Sequence, residues 1–237
     1  MISLKEIADT INKKGRFWIA FTGDSITSCE WVHPNWREIV EYVLKEEMTN
    51  FLGDWKKSEW GIRGFNFGYD GATTRDILEK SDTIKLISPD LVIGLMGGND
   101  EIFNIGVSEH VENITRMING LQTKVVWSTS IAFGNIDKNN KYEPYANACI
   151  QISGKGDIQL IDMFNIFKSF RLERFYTFKS EANLEENIKK GEIDYIHPNQ
   201  LGNAYIAKVI LKEVFGINFD PELYWGDTLA GEKYPKY

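Results

Sequence analysis

Short apolar runs alternate along the chain with longer stretches in which apolar positions recur every three or four residues. That rhythm belongs to a parallel sheet covered by helices on both faces, an α/β architecture. The runs predict strands near residues 16–22, 61–67, 90–96, 124–130 and 157–161, and the amphipathic stretches predict helices near 3–13, 35–49, 73–85, 107–121, 143–153 and 199–214. Leu91-Val92-Ile93-Gly94-Leu95-Met96 is apolar throughout, as a central strand buried on both faces requires. The punctuation agrees with the periodicity: Pro34 stands where the second helix opens, and Thr73-Thr74 with Asp76 reads as a helix start.

Composition narrows this picture. With 237 residues, 43% hydrophobic and 26% charged, the chain suffices for one sizeable core and is short for two, so one domain over 1–237 is expected. A formal net charge of −7, with only short basic blocks such as Lys13-Lys14 and Lys189-Lys190, argues against nucleic acid or anionic lipid as a partner. The N-terminal run Met1 to Ile11 is broken by charges and lacks the apolar core of a secretory signal, and no apolar stretch approaches the length that spans a bilayer. Cys29 and Cys149 are too far apart for a metal-binding pair and too few for a disulfide framework. A reduced, cytoplasmic protein without membrane insertion is expected. Two segments stand outside the pattern. Residues 170–193 are charged and irregular, to be read as a lid, a specificity wall, or a short solvated helix with a turn. The tail beyond Phe215 carries Phe219, Tyr224, Trp225, Tyr234 and Tyr237, which suits docking on its own domain or a contact between subunits of a homo-oligomer.

In an open parallel sheet, residues just past successive strands converge on one edge, where ligands bind. Three segments occupy that position: Gly23-Asp24-Ser25, then Asn66 to Gly71, then Gly97-Gly98-Asn99-Asp100. They offer a hydroxyl, a glycine-rich turn with backbone N–H groups, and a side-chain amide, the last two being suitable donors for the oxyanion of an acyl-transfer intermediate. A fourth segment, Asp194-Tyr195-Ile196-His197-Pro198, spaces a carboxylate and an imidazole so that they can meet within one turn. Pro198 disfavours helical geometry at His197 and so keeps it on the loop at a helix entrance. Serine is a weak nucleophile until an imidazole takes its proton, and these segments supply nucleophile, base and orienting acid. Singly each residue has a plain structural reading: Gly68 and Gly71 as turn glycines, Asn99 with Asp100 as a cap, Asp24 as an organiser of the serine loop. The conjunction of four segments in order carries the weight.

These four segments resemble the four blocks of the SGNH hydrolases, the GDSL esterase and lipase family, and the likeness runs from about residue 17 to about 214. The resemblance implies a flavodoxin-like three-layer α/β/α sandwich on a five-stranded parallel sheet. By motif it assigns Ser25 as nucleophile, His197 as base, Asp194 as its orienting acid, and the backbone N–H groups of Ser25 and Gly71 with the Asn99 amide as oxyanion donors. Asp24 and Asp100 support. Ile26 stands where the family name implies Leu, a frequent variant. The implied activity is hydrolysis of carboxylic esters through an acyl-enzyme, with no metal and no cofactor. Trp31, Trp55 and Trp60, as stacking faces, suggest a carbohydrate O-acetyl ester as the small-molecule substrate. The same aromatics would also suit a longer acyl chain, making the enzyme a lysophospholipase or thioesterase. An acyltransferase, or a non-catalytic carbohydrate-binding domain on a hydrolase scaffold, are the remaining readings. His33 reads as a surface histidine and His110 as one on a polar helix face without a partner in sequence. Gly-x-Ser-x-Gly, His-Glu-x-x-His and phosphate-loop motifs are missing from the sequence, against an α/β-hydrolase elbow, a zinc protease and an NTPase.

Overall fold

The computed structural model describes residues 1–28, 30–152 and 158–229. Cys29, Tyr234 and Tyr237, which entered the readings above, lie outside the described residues. In chain order the elements are α1 (Leu4–Lys14), β1 (Phe17–Gly23), α2 (Ser25–Ser28), α3 (Trp36–Leu52), α4 (Trp55–Gly61), β2 (Ile62–Gly68), α5 (Thr74–Leu86) and β3 (Leu91–Met96). There follow α6 (Val107–Gly120), β4 (Lys124–Thr129), α7 (Ile136–Ile150), β5 (Ile158–Ile161), α8 (Met163–Lys168), α9 (Gln200–Ile210) and α10 (Pro221–Leu229). The five strands form one parallel sheet in the order β2-β1-β3-β4-β5. This is the expected α/β/α sandwich.

Alternation along the strands divides the core between the two faces. Ile19 and Phe21 of β1, with Leu91, Ile93 and Leu95 of β3, pack under Trp36, Ile39 and Val43 of α3 and Ala204 and Ala207 of α9. Ala20, Val92 and Met96 point the other way, to Ile77 and Ile84 of α5 and Ile114 and Met117 of α6. Gly94 faces Trp127 across the β3–β4 ladder, and a Cβ there would lie 2.3 Å from the indole ring, so the strand's centre is glycine because the neighbouring strand carries a tryptophan. Among the described residues no helix is long and apolar enough to cross a membrane.

Helix starts follow side-chain caps. Ser3, Asn35 and Thr73 each close a capping box, with Glu6, Glu38 and Asp76 respectively. The second long helix therefore begins on Asn35, and Pro34 lies just before the cap instead of opening the first turn. Helix α7 starts seven residues ahead of the expected 143, because Asn135 caps it and Pro144 is carried inside. The predicted 199–214 helix is continuous through a π turn, Leu211–Phe215, to Gly216. In the tail, Phe219 and Tyr224 are buried, and Glu222 holds Arg174 at 2.8 Å and accepts a bond from Tyr205 Oη, so this part docks on the body.

Residues 170–193 fold as neither a free lid nor a plain helix. After a 3₁₀ turn, Leu172–Arg174, the chain doubles back: Ser180 N–H donates to Glu192 O, Gly191 N–H to Ser180 O and Asp194 N–H to Phe178 O at 2.8–2.9 Å. At the tip Ile188 is buried, and Glu186 meets the Lys138 ammonium. The arm ends on Asp194 and so anchors it.

Candidate active site

The strand order reverses at β1: the chain passes from β1 outward to β2, then returns to the other side for β3. A crevice opens at such a switch point beyond the carboxyl ends of the strands. Ser25 follows β1, and Asn99 follows β3. Gly23 brings β1 against β3 there, since a Cβ on it would sit 2.1 Å from Leu95 O. Ser25 opens the single turn α2 and is buried, as are Asp194 and His197.

Across 172 residues of chain, Ser25 Oγ lies 3.0 Å from His197 Nε2, where its hydroxyl can donate. On the far side of the ring, His197 Nδ1–H donates to Asp194 Oδ2 at 2.7 Å. The other oxygen, Asp194 Oδ1, accepts from the backbone N–H of Ile196 at 2.8 Å and of His197 at 3.0 Å. Burial works to raise the Asp194 pKa, yet the bond and charge of His197 and these two N–H groups outweigh it and hold the carboxyl below the ordinary carboxylate value. The loop is fixed from below by Asn203 of α9, whose amide donates to Pro198 O and whose oxygen accepts from Trp36 N–H.

The serine loop is joined to both neighbouring loops. Asn66 Nδ2 donates to Ser28 O at 2.8 Å, Tyr69 N–H to Gly23 O at 3.0 Å, and Thr27 Oγ1 to Leu95 O at 3.3 Å. Asp24 turns away from the cleft: Oδ1 accepts from Ile26 N–H at 3.1 Å and Oδ2 from Gly97 N–H at 3.4 Å. Burial pushes its pKa up to about 6, against those two hydrogen bonds, so two buried carboxyls of one site are displaced in opposite directions. Asp24 thus ties the serine loop to the loop after β3.

Gly71 occupies the third position of a turn closed by Ala72 N–H to Tyr69 O, at φ +67, a region costly for residues bearing a Cβ. Asn99 Nδ2 donates one hydrogen to Ala72 O at 3.0 Å, which lays the amide beside the Gly71 turn and orients its second hydrogen. Asp100 locks these two loops together. Its Oδ1 accepts from Thr74 N–H at 2.8 Å and Oδ2 from Thr74 Oγ1 at 2.5 Å and His110 Nδ1–H at 2.7 Å.

His110 corrects the sequence reading. It is fully buried, facing Asp100 on one side and the Cys149 thiol, 3.1 Å from Nε2, on the other. Burial raises the Cys149 pKa to about 12, so the thiol donates to the ring. The signal was present: His110, Ile114 and Met117 share one helical stripe, so the face is apolar. His33 is exposed, bonded to Glu38, as read. Trp31 does reach the site, stacking on His197 with ring centroids 4.0 Å apart. Trp55 and Trp60 do not. They pack on each other in α4, which leads into the first residue of β2 at the opposite edge of the sheet.

His197 opens onto a cleft of about 490 Å³ walled by Glu30, Trp31, Asp70, Phe178, Lys179 and Glu181. A hollow of about 480 Å³ at Lys208, Lys212 and Asp220 is remote from these groups, at the far end of α9.

The sequence profile of the GDSL-like Lipase/Acylhydrolase family matches residues 21–205, which includes all four loops. The chain belongs to that family. Membership makes it a serine carboxylic ester hydrolase. It is 20% identical over 235 residues to the GDSL esterase/lipase CPRD49 of Arabidopsis thaliana, covering 87% of this chain and 82% of that one. In structure it is similar to Axe2, an acetylxylan esterase from Geobacillus stearothermophilus, with TM-score 0.62 and 18% identity over 86% of this chain and 95% of that chain. It is also similar to LAE5, an alpha/beta hydrolase enzyme from the metagenome of Lake Arreo, Spain, with TM-score 0.62 and 15% identity over 83% and 94% of the two chains. At these identities the structural likeness concerns the fold.

Proposed function

We propose that this GDSL-family hydrolase removes short acyl groups, above all O-acetyl groups carried on carbohydrate, through an acyl-enzyme. The observation that carries the reading is the unbroken relay Ser25–His197–Asp194, at 3.0 and 2.7 Å, beneath a cleft with polar walls. Ser25 Oγ attacks the ester carbonyl as His197 Nε2 takes its proton, and Asp194 holds the tautomer and faces the imidazolium. The tetrahedral oxyanion is met by the N–H groups of Ser25 and Gly71 and by the Asn99 amide. His197 then returns the proton to the leaving alcohol, and water, deprotonated by the same ring, cleaves the acyl-serine.

Two features favour a sugar ester over the alternative, a lysophospholipid or thioester. Glu30, Asp70 and Glu181 against the single Lys179 make the cleft rim acidic, which repels a phosphate-bearing substrate. Trp31 offers an aromatic face among those polar groups, a combination suited to a pyranose ring. The acetylxylan esterase among the structural neighbours supports the same substrate class.

The test is hydrolysis of p-nitrophenyl esters from acetate to laurate, with Ser25→Ala as control. A preference of about tenfold or more in kcat/KM for the short esters is expected, and a preference for long chains rejects the reading. A fluorophosphonate should label Ser25 in the folded protein. Absence of labelling would favour a binding module on a hydrolase scaffold.

A further inference from the structure

His197 is held by two hydrogen bonds, one at each ring nitrogen: Nδ1 to Asp194 Oδ2 and Nε2 to Ser25 Oγ. Two such bonds fix where the ring sits but resist poorly its rolling about the axis between their partners. What resists the roll is Trp31, whose indole lies flat on the imidazole with centroids 4.0 Å apart and 4° between the planes. Trp31 itself sits outside regular structure, and its indole Nε1–H donates to Asp70 Oδ1 at 2.6 Å, across 39 residues of chain, which sets its orientation. Asp70 directly precedes Gly71, in the same tight turn.

Resting on the assignment of Ser25 and His197 as nucleophile and base, we infer that Trp31 is a positioning residue for ester hydrolysis, held by Asp70. It clamps the base from one face and couples the base to the oxyanion turn. Its contribution is larger in the transition state than in the ground state. As the proton leaves Ser25 the ring becomes an imidazolium, and a cation stacked on an indole face is attracted to it. An interaction that grows with the developing charge raises kcat, whereas one equal in both states would act on KM.

The experiment is steady-state hydrolysis of p-nitrophenyl acetate by Trp31→Leu, Trp31→Phe, Asp70→Ala and the Trp31→Leu/Asp70→Ala double variant, with Ser25→Ala alongside and thermal midpoints for each. Trp31→Leu is expected to lower kcat about tenfold, and the small acetate ester, which lacks the sugar that Trp31 would face, should show a change in KM smaller than the change in kcat. Trp31→Phe, which keeps an aromatic face, is expected to recover most of that loss. Asp70→Ala should reproduce part of it, and the double variant should be no worse than Trp31→Leu alone, because both act through one contact. An unchanged kcat in Trp31→Leu, a loss confined to KM, or Trp31→Phe as poor as Trp31→Leu at equal thermal midpoints would overturn the inference. Activity surviving in Ser25→Ala would instead overturn the assignment beneath it, so the two failures are distinguishable.

Discussion

Asp194→Asn is nearly isosteric, yet it is expected to disable the base by a route visible in the hydrogen bonds. Oδ1 of Asp194 accepts from two backbone N–H groups, at 2.8 and 3.0 Å, while Oδ2 accepts from His197 Nδ1. An asparagine has one oxygen. It stays where the two N–H donors are, because turning the amide round would lose two hydrogen bonds and set donors against donors, a cost of about 2–4 kcal/mol. The NH₂ group then faces Nδ1, which must become an acceptor, so the proton moves to Nε2 and points at Ser25 Oγ. In that tautomer the ring cannot take the hydroxyl proton, and the carboxylate that would face the imidazolium is gone as well. Together these lower kcat by about 10⁴, or roughly 5 kcal/mol. The assay is turnover of p-nitrophenyl acetate at saturating substrate, with thermal unfolding to verify the fold. KM is expected to stay within a factor of about three, since the near-isosteric change keeps the shape of the cleft that Asp194 helps to line. A folded Asp194→Asn enzyme that retains more than a tenth of wild-type kcat would refute the argument.

Asn99→Ala removes one oxyanion donor and should cost about 3–4 kcal/mol of transition-state stabilisation, and a fall in kcat of less than roughly fivefold would remove Asn99 from that role. Lys138, 1% exposed in its side chain, holds Gly98 O at 3.1 Å, Glu101 at 3.1 Å and Glu186 of the arm. Lys138→Met leaves two mostly buried carboxylates without their shared cation and should lower unfolding free energy in urea by about 3 kcal/mol or more, partly restored by adding Glu186→Gln, and a loss below about 1 kcal/mol would refute this. Asp24 has a folded pKa near 6, above its unfolded value, so the folded state holds the proton more tightly. The stability this gives is present in full below about pH 4 and falls as pH rises through about 6, by about 3 kcal/mol in total. Unfolding free energies of wild type and Asp24→Asn between about pH 4 and 8 should therefore diverge with this slope, and parallel curves would contradict it.

The sheet and the longer helices were legible because burial imposes a period on them: continuous apolar runs for strands covered on both sides, three-to-four spacing for helices covered on one. The short helices were not. α2, α4 and α8 are four, seven and six residues long, too short to show a period, and they exist because Asp54 and Asp162 cap the last two and Asp24 carbonyl bonds close the first. The start of α7 was misplaced for a related reason. Pro144, a residue that disfavours a helix interior, falls inside it, where the Asn135 cap and the tertiary packing of Tyr142 carry the helix through.

The site shows the same division one level up. Ser25, Asn99 and His197 stand out because each lies next to punctuation, a strand end, a glycine pair and a proline, Asp194 follows from its spacing to His197, and the likeness of these segments to the family's blocks supplied the roles. Their supports do not, because Asn66, Asn203, His110, Lys138 and Asp70 act on residues well separated in the chain or on backbone atoms, and neither leaves a period or a local motif. Yet these supports decide whether the reactive groups meet. The loops carrying Gly71 and Asn99 are joined through Asp100 and Asn99, the serine loop to both through Asn66 and Asp24, and His197 to the Gly71 loop through Trp31 and Asp70. A hydroxyl displaced by about 1 Å loses its base, so this lattice of buried polar bonds is what turns four recognisable segments into one arrangement able to transfer a proton.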